Sequence, residues 1–201
     1  GKNASIVSDD ADLDLAVPGV LRASFLNSGQ ICLCGSRVLV HSSIYDEFIS
    51  RYLQELEDFE IGPVISDEHR SKVISYIELA KQEGGTILAG GNVPDQIGAW
   101  IEPTVIAGLS HLSRTATEEI FGPLVTIHKF DSDEEAIEMA NSTQYGLAGS
   151  VWSKHKGMEI AQKIESGMVW VNTWLHRDLR VPFGGVKDSG VGREGGMWSI
   201  G

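Results

Sequence analysis

Apolar residues recur along this chain with two different periods. Residues 4–8 (ASIVS), 36–41 (SRVLVH), 123–130 (PLVTIHKF), 149–153 and 168–172 (MVWVN) are short apolar runs. Runs of that length bounded by turn formers predict strands, with 36–41 buried, and weaker strands are expected near 86–89 and 100–106. Elsewhere the spacing lengthens. Leu13, Val17, Leu21 and Phe25 fall on every fourth position, which predicts a helix over 10–25. Asp9, Asp10 and Asp12 suit its start through capping and the helix dipole, and Pro18 inside it is expected to produce a kink. Further helices are predicted over 44–56, over 67–82 (stopped by Gly84-Gly85), over 132–141 and over 155–166.

Strands alternating with helices predict an α/β fold, a largely parallel twisted sheet with helices on both faces. No repeat, low-complexity tract or linker divides the 201 residues, which are enough for one domain of good size. The tail from Pro182 is glycine-rich and reads as loop, where chemistry on an α/β sheet tends to sit.

Composition narrows the function. At 42% hydrophobic and 22% charged residues the chain can bury a real core. No apolar run approaches the roughly 20 residues of a membrane span, and the first residues lack the pattern of a signal peptide. A formal net charge of −12 with scattered Lys and Arg argues against a nucleic-acid partner.

The only two cysteines, Cys32 and Cys34, share the stretch FLNSGQICLCGSR. Positions i and i+2 are poorly placed to bridge each other, so a reducing cytoplasm is the simplest compartment. C-x-C is tighter than zinc-site spacing and no further soft ligand lies nearby, so no metal site is expected. Gly190-Val191-Gly192-Arg193-Glu194-Gly195 has the letters of a dinucleotide fingerprint but lacks the following strand and acidic residue. What remains open is a nucleophilic cysteine or two buried structural thiols. Asn27-Ser28-Gly29-Gln30 ends the first helix with turn formers, and a thiol just beyond a turn can be accessible and near backbone N–H groups. Free cysteine is also a common small core residue.

Several motifs together resemble the aldehyde dehydrogenase superfamily. FLNSGQIC is similar to the family's Phe-x-Asn-x-Gly-Gln-x-Cys, which ends on the nucleophile. GKNASIVSDDADLDLA, EEIFGP, YGLAGSVWS, GMVWVN and PFGGVKDSGVGREGG follow in the family's order and cover nearly the whole chain. The resemblance implies Cys32 as nucleophile, with Cys34 a bystander and Gly29 and Gln30 shaping the turn. It implies Glu119 as holder of the nicotinamide ribose and Phe121 as the aromatic beside the nicotinamide of NAD, with NADP as an alternative. It places Asn172 and Phe183 near the active-site tunnel. The implied chemistry is thiolate addition to an aldehyde, hydride departure to the cofactor, and hydrolysis of the resulting thioester. Residues 1–201 correspond to the nucleophile-bearing catalytic domain. The family's dinucleotide-binding domain and general-base glutamate fall outside them, so these residues alone are expected to oxidise aldehyde poorly or not at all. A homo-oligomer is implied for the full-length enzyme.

TWLHRDLRVPFGG (173–185) resembles the corresponding stretch of 2-hydroxymuconate and 2-aminomuconate semialdehyde dehydrogenases. A guanidinium suits a substrate carboxylate through its bidentate fork, which makes Arg177 the expected anchor and Arg180 the second candidate. Both could instead be surface arginines paired with Asp178. Trp174 and Phe183 either flank a planar unsaturated chain or are core aromatics. Two other functions stay in view: oxidation of betaine aldehyde or another small aldehyde, and a folded scaffold without catalysis.

Overall fold

A computed structural model of the chain describes residues 1–199. In chain order the elements are β1 (Ala4–Val7), α1 (Leu13–Phe25), β2 (Arg37–His41), α2 (Tyr45–Glu57), α3 (Asp67–Gln82), β3 (Thr86–Ala89) and β4 (Thr104–Ala107). They continue with α4 (Arg114–Thr117), β5 (Leu124–Phe130), α5 (Asp133–Asn141), β6 (Tyr145–Gly146), β7 (Ala148–Trp152), α6 (Gly157–Ala161), β8 (Met168–Val171) and β9 (Val186–Lys187).

Seven strands form one sheet in the order β3-β4-β5-β2-β1-β7-β8, parallel throughout except for β3 at its edge. Alternate side chains along each strand feed opposite faces. Val7, Val38 and Val40 pack against Val17 and Leu21 of α1 and Phe48 of α2. Ile6, Leu39 and Phe130 pack against Ala136 and Met139 of α5 and Ile160 of α6. On that same side Val73 and Ile77 of α3 cover Ile106 and Leu124. The mixed α/β sheet covered on both faces is therefore the architecture that the alternating pattern predicts.

Helix starts follow the sequence closely. Asp12, Ser66 and Ser132 each accept a backbone N–H from the first turn of α1, α3 and α5. Four expectations differ from the structure. α1 runs without a break through Pro18. The bond that proline cannot make would go to Asp14, which is exposed, so water can satisfy that carbonyl. The predicted strand over 100–106 begins only at Thr104, because Pro103 offers no N–H and the Glu102 N–H is turned to Asn92. The helix expected over 155–166 stops at Ala161. Beyond it the Asn141 side chain takes the Lys163 carbonyl and the Glu165 N–H, drawing that segment out of helical geometry. The glycine-rich tail is also less irregular than expected, since β9 pairs antiparallel with β6 and Phe183 bridges to Glu194.

The strand register positions the site. Ala4 of β1 lies opposite Arg37 of β2 and Gly149 of β7, and Arg37 lies opposite Thr126 of β5. The amino ends of four central strands are thus level. The segments leading into them (residues 1–3, 32–36 and 119–123) become neighbours along one edge of the sheet.

Candidate active site

The chain leaves α1 through three consecutive left-handed residues, Asn27 (φ 52°), Ser28 (φ 56°) and Gly29 (φ 70°). Asn and Gly tolerate this conformation, whereas Ser28 is held in it by a hydrogen bond from its hydroxyl to the Gly62 carbonyl at 2.7 Å. Gln30 accepts the Ile65 N–H at 2.9 Å, which ties the turn to the loop before α3. Cys32 emerges exposed on the following turn, while Cys34 is buried. Burial pushes the Cys34 thiol up to about 11, so it stays protonated at neutral pH. Its sulfur sits 3.8 Å from the Leu26 carbonyl. Two thiols one residue apart therefore occupy opposite environments.

Side chains from elsewhere in the fold hold the cysteine turn. Asn3 Nδ2 donates to the Cys32 carbonyl at 2.8 Å and the Cys34 carbonyl at 2.9 Å, while its Oδ1 accepts the Ala148 N–H at 3.1 Å. Trp174 Nε1 donates to the Leu33 carbonyl between them at 3.1 Å.

The EEIFGP loop lies directly behind. A Cβ on Gly29 would come within 2.2 Å of the Gly122 carbonyl oxygen, so the two loops approach backbone to backbone. Phe121 adopts φ 63° and is partly exposed. From α3, His69 Nε2 donates to the Phe121 carbonyl at 2.6 Å and Lys72 Nζ donates to the Glu119 carbonyl at 3.1 Å. The half-buried Glu119 carboxylate faces the Gly1 nitrogen. Beneath them Lys2 is buried with its ammonium on the Thr115 carbonyl at 3.1 Å. Burial, reinforced by Arg37, draws the Lys2 pKa down to about 7, and the Glu119 charge partly opposes that fall.

A third group follows β8. Asn172 (φ 53°) has its amide engaged on Ser153, accepting the N–H at 2.9 Å and donating to the carbonyl at 2.8 Å. Trp174 is buried in the main core. Of the two roles open to it, the structure gives it core packing and a backbone hydrogen bond. Trp170 Nε1 donates to the His176 carbonyl at 2.8 Å, folding the next residues back over β8. Between β8 and that segment runs a groove of about 350 Å³ lined by Trp170, His176, Arg177, Pro182 and Phe183 among others. The Arg177 guanidinium lies 4.4 Å over the Phe183 ring. Arg180 is different: its Nε reaches both Asp178 oxygens, at 2.9 and 3.0 Å. Among the described residues no carboxylate pairs with Arg177. Neither Cys32 nor Glu119 lines this groove.

The structure thus brings Cys32, Glu119 and Phe121 to one edge and sets Arg177 and Phe183 in an adjoining groove. Trp174 links the two. Sequence reasoning missed Asn3, His69 and Lys72. His69 and Lys72 sit three apart on α3, a spacing that signals a shared face but reads equally as an ordinary solvated one.

A profile described as the aldehyde dehydrogenase family matches residues 1–201. The chain is 48% identical to a 2-aminomuconic 6-semialdehyde dehydrogenase of Pseudomonas sp, across 100% of this chain and 44% of that protein. It is 46% identical to a 2-hydroxymuconic semialdehyde dehydrogenase of Pseudomonas sp. (strain CF600), across 100% of this chain and 45% of that protein. Among solved structures, a betaine aldehyde dehydrogenase from Staphylococcus aureus in complex with NAD+ superposes with a TM-score of 0.96 at 42% identity, covering 100% of this chain and 43% of that one. The chain spans less than half the length of the curated relatives it matches.

Proposed function

Because the chain belongs to the aldehyde dehydrogenase family, we propose that it carries the nucleophile-bearing catalytic domain of an enzyme that oxidises a carboxylated semialdehyde of the muconic type to the acid. The observation that carries the substrate class is Arg177. Its guanidinium rests on an aromatic face at the groove and is free of the Asp178 pairing that occupies Arg180. A cation held there attracts a carboxylate and disfavours betaine aldehyde, whose quaternary ammonium carries the same charge.

Cys32 supplies the nucleophile. Its thiolate adds to the aldehyde carbon, forming a C–S bond and placing the carbonyl electron pair on oxygen. The Cys32 backbone N–H donates to that oxyanion. NAD, which Glu119 and Phe121 would help to hold, would supply the acceptor for the hydride lost from the Cys32 adduct as its C=O bond re-forms, leaving a thioester on Cys32. Water then adds to the thioester and the thiol departs, releasing the acid. Residues outside this chain supply the general base and the dinucleotide-binding domain in this reading. The residues present suit the cofactor: a half-buried carboxylate at Glu119 accepts ribose hydroxyls, and the exposed face of Phe121 offers an apolar plane to the nicotinamide. His69 and Lys72 hold the backbone of that loop. Arg177 and Phe183 contact the substrate and Trp174 shapes the wall behind it, while Asn172, at the carboxyl ends of β7 and β8, braces the start of that segment.

A free thiol nucleophile suits a reducing compartment, which supports a cytoplasmic enzyme. Among the described residues no helix is long and apolar enough to cross a membrane. A homo-oligomer of the whole protein belongs to the same proposal.

Three substitutions in the natural protein test the reading. Cys32→Ala is expected to lower kcat by roughly a thousandfold or more, and Cys34→Ala by less than about tenfold. Equal losses would deny Cys32 the nucleophile's role, and a wild-type protein without turnover would point to a non-catalytic scaffold. Arg177→Ala is expected to lower kcat/KM by about 10- to 100-fold on a carboxylated semialdehyde and to spare neutral aldehydes. Equal activity of wild type and variant on both classes rejects the muconic assignment.

A further inference from the structure

Three consecutive carbonyls of the cysteine turn, those of residues 32, 33 and 34, are each held by a side chain from another part of the fold. Asn3 enters from the foot of β1 and Trp174 from the loop beyond β8. Both are buried. The asparagine amide suits its task closely. Its two N–H bonds meet two carbonyls, and its one oxygen takes the Ala148 N–H where β7 begins. The indole has a single N–H and no acceptor, and that N–H goes to the remaining carbonyl.

We propose that Asn3 and Trp174 are positioning residues for Cys32: by drawing the carbonyls of residues 32–34 inward, they fix the turn that presents the thiol and the Cys32 N–H outward. The proposal rests on the reading of Cys32 as the nucleophile. Inside the turn the Cys34 N–H donates to the Ile31 carbonyl at 2.9 Å, which orients the peptide plane between Ile31 and Cys32. In a trans peptide the N–H points opposite to the carbonyl, so the Cys32 N–H faces away from the turn's interior. Among the described residues no acceptor takes that N–H, which leaves it for an oxyanion. Trp174 does a second thing. It stands three residues before Arg177, so its bond to Leu33 fastens the segment carrying the substrate's carboxylate anchor to the turn carrying the nucleophile. The distance from reacting carbon to distant carboxylate is then set by rigid core packing. Displacing a reacting group by about 1 Å costs up to a hundredfold in rate, so this fastening acts on kcat.

The test uses Trp174→Phe in the natural protein, which removes the N–H and keeps most of the ring. Phe48→Leu, a core change remote from the turn, serves as the stability-matched comparison. Trp174→Phe is expected to lower kcat about tenfold while KM for aldehyde and for NAD stays within about twofold. Phe48→Leu is expected to keep kcat within about twofold at a comparable loss of thermal stability. Asn3→Asp, which removes both donors without changing shape, is expected to repeat the selective loss of kcat where it folds. Wild-type kcat in Trp174→Phe, or an equal fall in Phe48→Leu, overturns the proposal. Full turnover in Cys32→Ala rejects instead the nucleophile assignment beneath it.

Discussion

Gly29 shows how much one position can fix. It takes φ 70° and leaves no room for a methyl group, because a Cβ would lie 2.2 Å from the Gly122 carbonyl oxygen. Neither backbone can yield without moving a functional loop. Gly29→Ala is therefore expected to destabilise the protein by at least about 2 kcal/mol, seen as a lower urea midpoint. The motif around Cys32 already assigned Gly29 and Gln30 to shaping the turn. It could not reveal that the glycine's neighbour is Gly122, nearly a hundred residues away, since contact across that separation comes only from strand register. Cys34 was legible in part for the same reason. Its position suggested a bystander, and its burial supplies the cause, a thiol held protonated. Asn172 reads as a tunnel residue through the GMVWVN motif, and Trp174 reads either as a flank of the substrate or as a core aromatic. Neither motif shows that their polar groups meet backbone atoms of Ser153 and Leu33.

Between elements, Arg37 is the join that sequence patterning conceals. It opens β2 inside a run that reads as buried, and its guanidinium is indeed buried. Nη1 and Nη2 donate to the Met139 and Ala140 carbonyls at 2.7 and 2.8 Å, capping the carboxyl end of α5, while Nε donates to the Lys2 carbonyl at 2.8 Å. Burial draws its pKa down to about 10, still well above neutral, so the cap is charged. Arg37→Met leaves the Lys2 and Ala140 carbonyls without donors, while Ser142 still serves Met139, and is expected to cost about 3 kcal/mol in chemical denaturation. Arg37→Lys, with one point charge in place of a planar fork, should recover only part of that. Element boundaries failed in the sequence for related reasons. The helix expected over 155–166 ends early because Asn141 captures backbone atoms beyond Ala161, an interaction with no local signal.

Across the whole molecule, the candidate site lies at the amino ends of the central strands. The usual expectation for open α/β sheets puts ligands at the carboxyl ends. Fold class alone would therefore point to the opposite edge, and the motifs name candidate residues without showing which edge Cys32, Glu119 and Phe121 share. The same sheet sets the acid response. His128 on β5 is buried, with Nδ1–H on the Leu109 carbonyl at 3.1 Å and Nε2 beside the Thr126 hydroxyl at 2.9 Å. Burial, with Arg37 nearby, lowers its pKa from 6.5 to about 4. Between those values the unfolded chain binds a proton that the folded chain refuses. Stability from this group is full above pH 6.5 and falls as pH drops toward 4, by up to about 3 kcal/mol. His128→Gln is expected to flatten that part of the urea-midpoint profile, and an unchanged profile would remove His128 as its source.

The central claim is that Cys32 forms the covalent bond to substrate. It is tested most directly by mixing the natural protein with NAD and a carboxylated semialdehyde, quenching in acid before the first turnover completes, and mapping the acyl mass by peptide. The account predicts an acyl group on Cys32 that appears and decays at the rate of turnover, with Cys34 unmodified. An acyl group on Cys34, or turnover with no adduct on Cys32, would contradict it.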